Sequence, residues 1–193
     1  MKLRGMLITL CAVSILTTLA YLWLAPAALK TAPDIGLMTL DGKEVQLASL
    51  HGRPVLVTFW ATTCNSCVSE IPHLIRLYDE LAPQGLEIIA IAMDYDPPNR
   101  VLALRKARNI PYPIALDIQA DAARAFGNVR LTPTSFLIAP DGRIAHQRTG
   151  EMNMAALRKE ILAMLAATRS SRATTSPDMR TSNLTDQTGI PPG

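Results

Sequence analysis

The chain has 193 residues, 49% of them hydrophobic, and a formal net charge of +3. That length accommodates one domain of ordinary size with a real core. Lys2 and Arg4 supply most of the charge excess, so the chain from residue 30 onward is close to neutral and shows no basic face for nucleic acid.

Residues 6–25 contain no charged side chain. A helix of about 20 residues rises roughly 30 Å, the thickness of a bilayer's hydrocarbon core. Residues 1–29 are therefore expected to form an uncleaved membrane anchor. A cleaved signal peptide has an apolar region of only about 7 to 15 residues, although Ala25-Pro26-Ala27 offers a small-residue cleavage site. Lys2 and Arg4 precede the span, which by the positive-inside rule keeps the N-terminus cytoplasmic and exports the rest. Cys11 lies inside the span and is expected to be a small lipid-facing or packing residue. Cys64 and Cys67 then make a single dithiol in the exported part. A disulfide scaffold would need several pairs in a short chain, so one close pair points to chemistry.

The folded domain is expected over residues 33–168. Residues 35–40 and 43–47 alternate around Asp41-Gly42, a hairpin signal, and 48–53 read as a turn. Residues 55–60 are apolar, β-branched and aromatic, and too few for a helix, which fits a central strand buried on both faces. Thr62 or Thr63 is expected to cap a helix whose apolar positions Val68, Ile71, Leu74, Ile75, Tyr78 and Leu81 recur at helical spacing. Pro72 should kink this helix, and Pro83 and Gly85 should end it. A second apolar strand follows at 86–93, a loop at 94–99 and a basic, solvated helix at 98–108. A short strand at 114–116 and a short helix at 120–126 come next. Strands at 134–139 and 143–148 flank Asp141-Gly142, and an amphipathic helix spans 151–167. Residues 169–193, rich in Ser, Thr, Arg and Pro, read as a disordered tail. Periodicity thus gives an α/β fold, a mixed sheet with helices on both faces.

Cys64 and Cys67 stand in a Cys-x-x-Cys spacing where the strand of 55–60 enters the helix. A thiolate, not a thiol, attacks a disulfide, and the helix N-terminus stabilises negative sulfur at Cys64. Cys67, one turn further in, should be more buried and act as the resolving sulfur. No second cysteine pair or paired histidine completes a metal site, and His51, His73 and His146 are scattered. No metal or cofactor beyond a redox-active Cys64–Cys67 disulfide is expected.

The run Phe59-Trp60-Ala61-Thr62-Thr63-Cys64-Asn65-Ser66-Cys67, with Pro72 and the later Leu131-Thr132-Pro133-Thr134-Ser135-Phe136, resembles the thioredoxin superfamily. More narrowly, it is similar to the membrane-anchored TlpA/ResA-like thiol-disulfide oxidoreductases, over about residues 33–167. The resemblance implies Cys64 as the attacking cysteine, Cys67 as the resolving one and Pro133 as a cis-proline facing them. It also implies that the Thr132 backbone docks an extended substrate segment and that Trp60 forms part of the rim. Thioredoxin's buried Asp is replaced by Thr58, while Glu70 matches the acid that TlpA/ResA-like proteins keep near the dithiol. Ser66 stands where many relatives carry proline, which leaves the potential open.

The expected activity is reduction of disulfides in exported proteins, such as those of cytochrome c maturation or copper delivery. A membrane thiol carrier would donate the electrons, and the domain would sit outside a bacterial inner membrane on a single span. A disulfide oxidase or isomerase would use the same residues in the other direction, and a copper-binding chaperone would use the thiols as soft ligands. A peroxidase of the peroxiredoxin type needs Thr where Ala61 stands.

Overall fold

The computed structural model describes Ser14 and residues 31–175, with side-chain surroundings up to residue 171. The chain divides into two units at Lys30, and the described fold is that of the second. The expected span at 6–25 apart from Ser14, Cys11 included, and the end of the tail lie outside the described residues. Among the described residues no helix is long and apolar enough to cross a membrane.

The fold opens with a small hairpin, β1 (Gly36–Met38) and β2 (Glu44–Gln46), paired in antiparallel register as a sheet of its own. It is fastened to the main sheet by the Leu40 N–H, which donates to Ile114 O at 2.8 Å. Gly42, at φ 71°, makes its turn. The expected turn after it is partly a 3-10 helix, Leu47–Leu50.

Every residue of β3 (Val55–Trp60) is buried. It is the centre of a five-stranded sheet in the order β5-β4-β3-β6-β7. β4 (Glu87–Ala92) and β5 (Ile114–Leu116) run parallel to it, β6 (Thr134–Ile138) runs antiparallel to it, and β7 (Ile144–Thr149) pairs antiparallel with β6 and so runs in the direction of β3. Side chains alternate across the sheet. Leu56, Trp60, Ile88 and Leu137 enter one core with the helices α1 (Asn65–Leu81), α2 (Pro98–Arg108) and α4 (Met154–Thr175). Val57, Phe59, Ile89 and Phe136 enter a second core, closed by the hairpin and by α3 (Asp121–Ala125). There Phe126 packs edge-on against Phe59 at 5.4 Å between ring centroids.

Three local expectations are corrected. The face of α1 that enters the core is Cys67, Glu70, Ile71, Leu74, Leu77 and Leu81, whereas Ile75 and Tyr78 lie at its margin. Pro72 lies inside this helix, on its exposed side. The last helix begins later than expected, with Asn153 Oδ1 accepting the Ala156 N–H at 3.0 Å. It also runs on to Thr175, into the segment expected to be disordered. No Pro or Gly interrupts residues 154–175, so nothing stops the helix where its apolar pattern thins.

Candidate active site

The buried strand β3 delivers the chain to a turn in which the Cys64 N–H donates to Ala61 O at 3.1 Å. Cys64 is itself the N-cap of α1: its Sγ accepts the Cys67 N–H at 3.2 Å. This corrects the expectation that Thr62 or Thr63 caps the helix. Thr62 is drawn elsewhere, its N–H and hydroxyl both donating to the Asp96 carboxyl at 2.6 Å. Asp96, in the loop after β4, is 4% exposed and holds the turn that leads into the dithiol. Sequence reasoning passed over it, because an Asp in a loop before prolines reads as a turn residue. The signal available was its place beyond the carboxyl end of a central parallel strand, beside the end of β3.

Cys64 and Cys67 are joined as a disulfide with their Cα atoms 5.2 Å apart. Cys64 is partly exposed and Cys67 is buried. The Ser66 hydroxyl lies 3.4 Å from Cys64 Sγ. Since a disulfide sulfur carries no proton, the hydroxyl is the donor. Cys64 Sγ therefore has a backbone and a side-chain donor, in addition to the positive end of the helix.

Behind the disulfide, Cys67 shares a cavity of about 10 Å³ with Thr58, Trp60, Glu70 and Pro133. Glu70 is buried rather than a surface residue of the first turn, and its Oε1 accepts the Met152 N–H at 2.6 Å. Burial pushes its carboxyl above the usual range, and the Met152 N–H offsets part of that rise. Thr58 is buried and accepts a hydrogen bond from the Ser135 hydroxyl at 2.9 Å. The Thr132–Pro133 peptide is cis, and Pro133 O accepts the Gly150 N–H at 2.8 Å. Thr132 is partly exposed and precedes the first residue of β6.

Trp60 corrects another expectation. It is 4% exposed, so it forms the inner wall of the cavity rather than an exposed rim, and its Nε1 has no acceptor among the described residues. Strand alternation accounts for this, because Trp60 falls on the same face of β3 as Leu56. His51, His73 and His146 are all exposed. Among the described residues no cluster of His, Cys, Asp and Glu is arranged to hold a metal ion.

A reversible dithiol at a helix N-terminus, on a mixed sheet of this order and beside a cis-proline, is the site of a thioredoxin-like thiol-disulfide oxidoreductase. The chain belongs to the AhpC/TSA family, whose profile matches residues 28–147. It is 35% identical over 128 residues to the thiol-disulfide oxidoreductase ResA of Geobacillus thermodenitrificans, covering 66% of this chain and 72% of that one. It is 32% identical over 121 residues to ResA of Bacillus subtilis, covering 63% and 66% respectively. Among solved structures, a thiol:disulfide interchange protein of the thioredoxin family from Chlorobium tepidum superposes with a TM-score of 0.66 at 30% identity. That match covers 73% of this chain and 99% of that one. StoA from Bacillus subtilis shares the fold, with a TM-score of 0.58 at 22% identity over 69% of this chain and 98% of StoA. The chain is thus a TlpA/ResA-like thiol-disulfide oxidoreductase that acts on disulfide-containing partners.

Proposed function

We propose that this oxidoreductase works as a membrane-anchored reductase of exported proteins, with Cys64 attacking and Cys67 resolving. The observation that carries the reading is the asymmetry of the pair: Cys64 is partly exposed at the N-cap, whereas Cys67 is buried beside Glu70. A sulfur on another protein can reach only the first of them.

In the reduced form the Cys64 thiolate attacks one sulfur of the partner's disulfide, and the other sulfur leaves as a thiolate. Cys64 is then bonded to the partner. Cys67 gives its proton to Glu70 and attacks Cys64 Sγ, which expels the partner's second thiolate and closes the Cys64–Cys67 disulfide. Two electrons pass from the dithiol to the partner, and the protons released by the two cysteines balance the partner's two thiols. A carboxyl whose proton affinity is raised by burial accepts that proton more readily than an ordinary surface carboxylate does. Thr132 and Pro133 serve as the edge along which the partner's backbone is laid, with Trp60 as the wall behind.

The uncharged stretch 6–25, preceded by Lys2 and Arg4, supports placement on the outer side of a bacterial inner membrane. In that oxidising compartment a reductase must be recharged, which calls for a membrane thiol carrier as donor. Proteins awaiting haem or copper on free thiols are the fitting clients.

Equilibration against thiol redox buffers tests the direction. A potential near that of thioredoxin, about −270 mV, is expected, and one near that of the oxidant DsbA, about −120 mV, overturns the reductase reading. Cys67→Ala should leave Cys64 in a mixed disulfide with its client, which mass spectrometry of the exported fraction identifies. The absence of any such adduct counts against the assignment.

A further inference from the structure

A second feature lies next to the dithiol and takes no part in the exchange itself. β7 is the outermost strand, and among the described residues it pairs only with β6. Between it and α4 runs a groove of about 370 Å³, lined by His146 and Arg148 on the strand side and by Met152, Ala156 and Leu157 on the helix side. Both strand residues are exposed.

Three links tie the walls of the groove to the redox site. Met152, at its upper end, donates its N–H to Glu70. Gly150, which follows β7, donates to Pro133 O. Arg148 is in register with Ser135, and Ser135 with Thr58, so all three share a cross-strand row on one face of the sheet. At about 4.8 Å per strand, Arg148 stands roughly 10 Å from the Thr58 wall of the cavity that Cys67 also lines. An extended peptide covers that distance in about three residues.

Among the described residues the Arg148 charge in the groove has no carboxylate paired with it. Arg53, Arg105, Arg124, Arg143 and Arg158 are each paired with a carboxylate. The Arg148 guanidinium makes no ion pair or hydrogen bond among the described residues. Glu160 also lines the groove, but about two turns along α4 and roughly 10 Å from the end that faces the dithiol.

We propose that this groove receives an extended, acid-bearing segment of the disulfide partner, whose apolar side chains lie on Met152 and Leu157 and whose carboxylate is read by Arg148. The inference rests on the thiol-disulfide activity of the Cys64–Cys67 pair and names the chemistry of the partner that this pair prefers. The open edge of β7 gives the segment backbone hydrogen bonds, and Arg148 selects its charge.

The test uses the reduced full-length chain and two symmetrical peptide disulfides that differ only at the third residue on either side of the cysteine, Glu in one and Lys in the other. The ratio of their reduction rates is the readout, because it cancels any general loss of activity in a variant. Wild type should favour the Glu peptide about fivefold, the scale of one solvent-facing charge pair. The preference should shrink with added salt, fall to near unity in Arg148→Gln and invert in Arg148→Glu. A wild-type ratio of one, or the same ratio in Arg148→Glu, overturns the groove assignment. Hydroxyethyl disulfide, small and uncharged, separates the two readings in the wild type. If it is reduced while the peptides are not distinguished, only the groove inference fails. If neither it nor the peptides are reduced, the activity on which the inference rests fails with it.

Discussion

The Met152 N–H donates to Glu70 Oε1 at 2.6 Å across 82 residues of sequence, joining the loop before α4 to the carboxyl beside Cys67. Burial is the largest influence on this carboxyl and raises its proton affinity. The nearby Glu151 adds to the rise, while the Met152 N–H and His73 oppose it. A folded-state value above the unfolded one means that neutral Glu70 contributes its stability fully below the ordinary carboxylate range, and that this is lost as pH rises through the raised value. Glu70→Gln keeps an acceptor for Met152 and removes the buried charge. It should therefore melt higher than wild type at neutral pH, with the gap closing on acidification. Resolution of the mixed disulfide should meanwhile slow by about a hundredfold, the usual scale for losing a general acid–base group. Parallel curves of Tm against pH for the two proteins would remove Glu70 from this role.

Ser66 tunes the other sulfur. Its hydroxyl donates to Cys64 Sγ at 3.4 Å in the disulfide, and a thiolate at the same place would accept more strongly because it is charged. Ser66→Ala should raise the Cys64 thiol pKa and destabilise the reduced state relative to the oxidised one. The potential should move by about 10 to 30 mV in the more reducing direction, since 30 mV is about 1.4 kcal/mol for a two-electron couple. Thiolate absorbance against pH and a glutathione equilibrium measure the two effects. A potential that moves toward the oxidising side would refute the donor role.

Asp96 binds the turn before Cys64 through two hydrogen bonds to Thr62. Asp96→Ala removes both acceptors and leaves the Thr62 N–H without its partner, at a cost of about 3 kcal/mol. Thr62→Val loses only the hydroxyl bond and should cost about 1 kcal/mol. Denaturant unfolding of the two variants reads the difference, and equal midpoints would show that the N–H bond contributes nothing.

These cases mark what could be read from the sequence. The strand of 55–60, the dithiol at the head of α1 and the alternation of strands and helices are local patterns: a short apolar run, a spacing of two residues between cysteines, apolar side chains every three or four positions. The burial of Glu70 is not local, because the N–H that makes it tolerable comes from Met152 in a distant loop. Nor is the place of Thr62, which is held by Asp96 from the loop after β4 while Cys64 takes the cap position. Trp60 was expected at the rim through the family resemblance alone, although period-two alternation within β3 sets it on the inner face with Leu56. The extension of α4 to Thr175 was not legible because the apolar pattern ends before it and the added residues, mostly Ser, Thr and Arg, read as a solvated segment.

Thr58 allows the division of labour in the cavity to be tested directly. It lines the same space as Glu70 and Cys67, its hydroxyl is engaged by Ser135, and it occupies the strand position where thioredoxin carries an acid. Thr58→Asp would put a second carboxyl beside Glu70. Two carboxylates in one small buried site cannot both ionise cheaply, so one of them should hold its proton well above the ordinary range. The variant should be less stable than wild type, increasingly so as pH rises and the second proton is forced off. Combining it with Glu70→Gln leaves one acid in the cavity, now on β3. If a single carboxyl beside Cys67 suffices for proton transfer, Thr58→Asp/Glu70→Gln should resolve mixed disulfides faster than Glu70→Gln alone, by about tenfold or more. A double variant as slow as the single one would show that the transfer depends on the position Glu70 holds on α1, beneath the Met152 N–H, and not merely on an acid within the cavity.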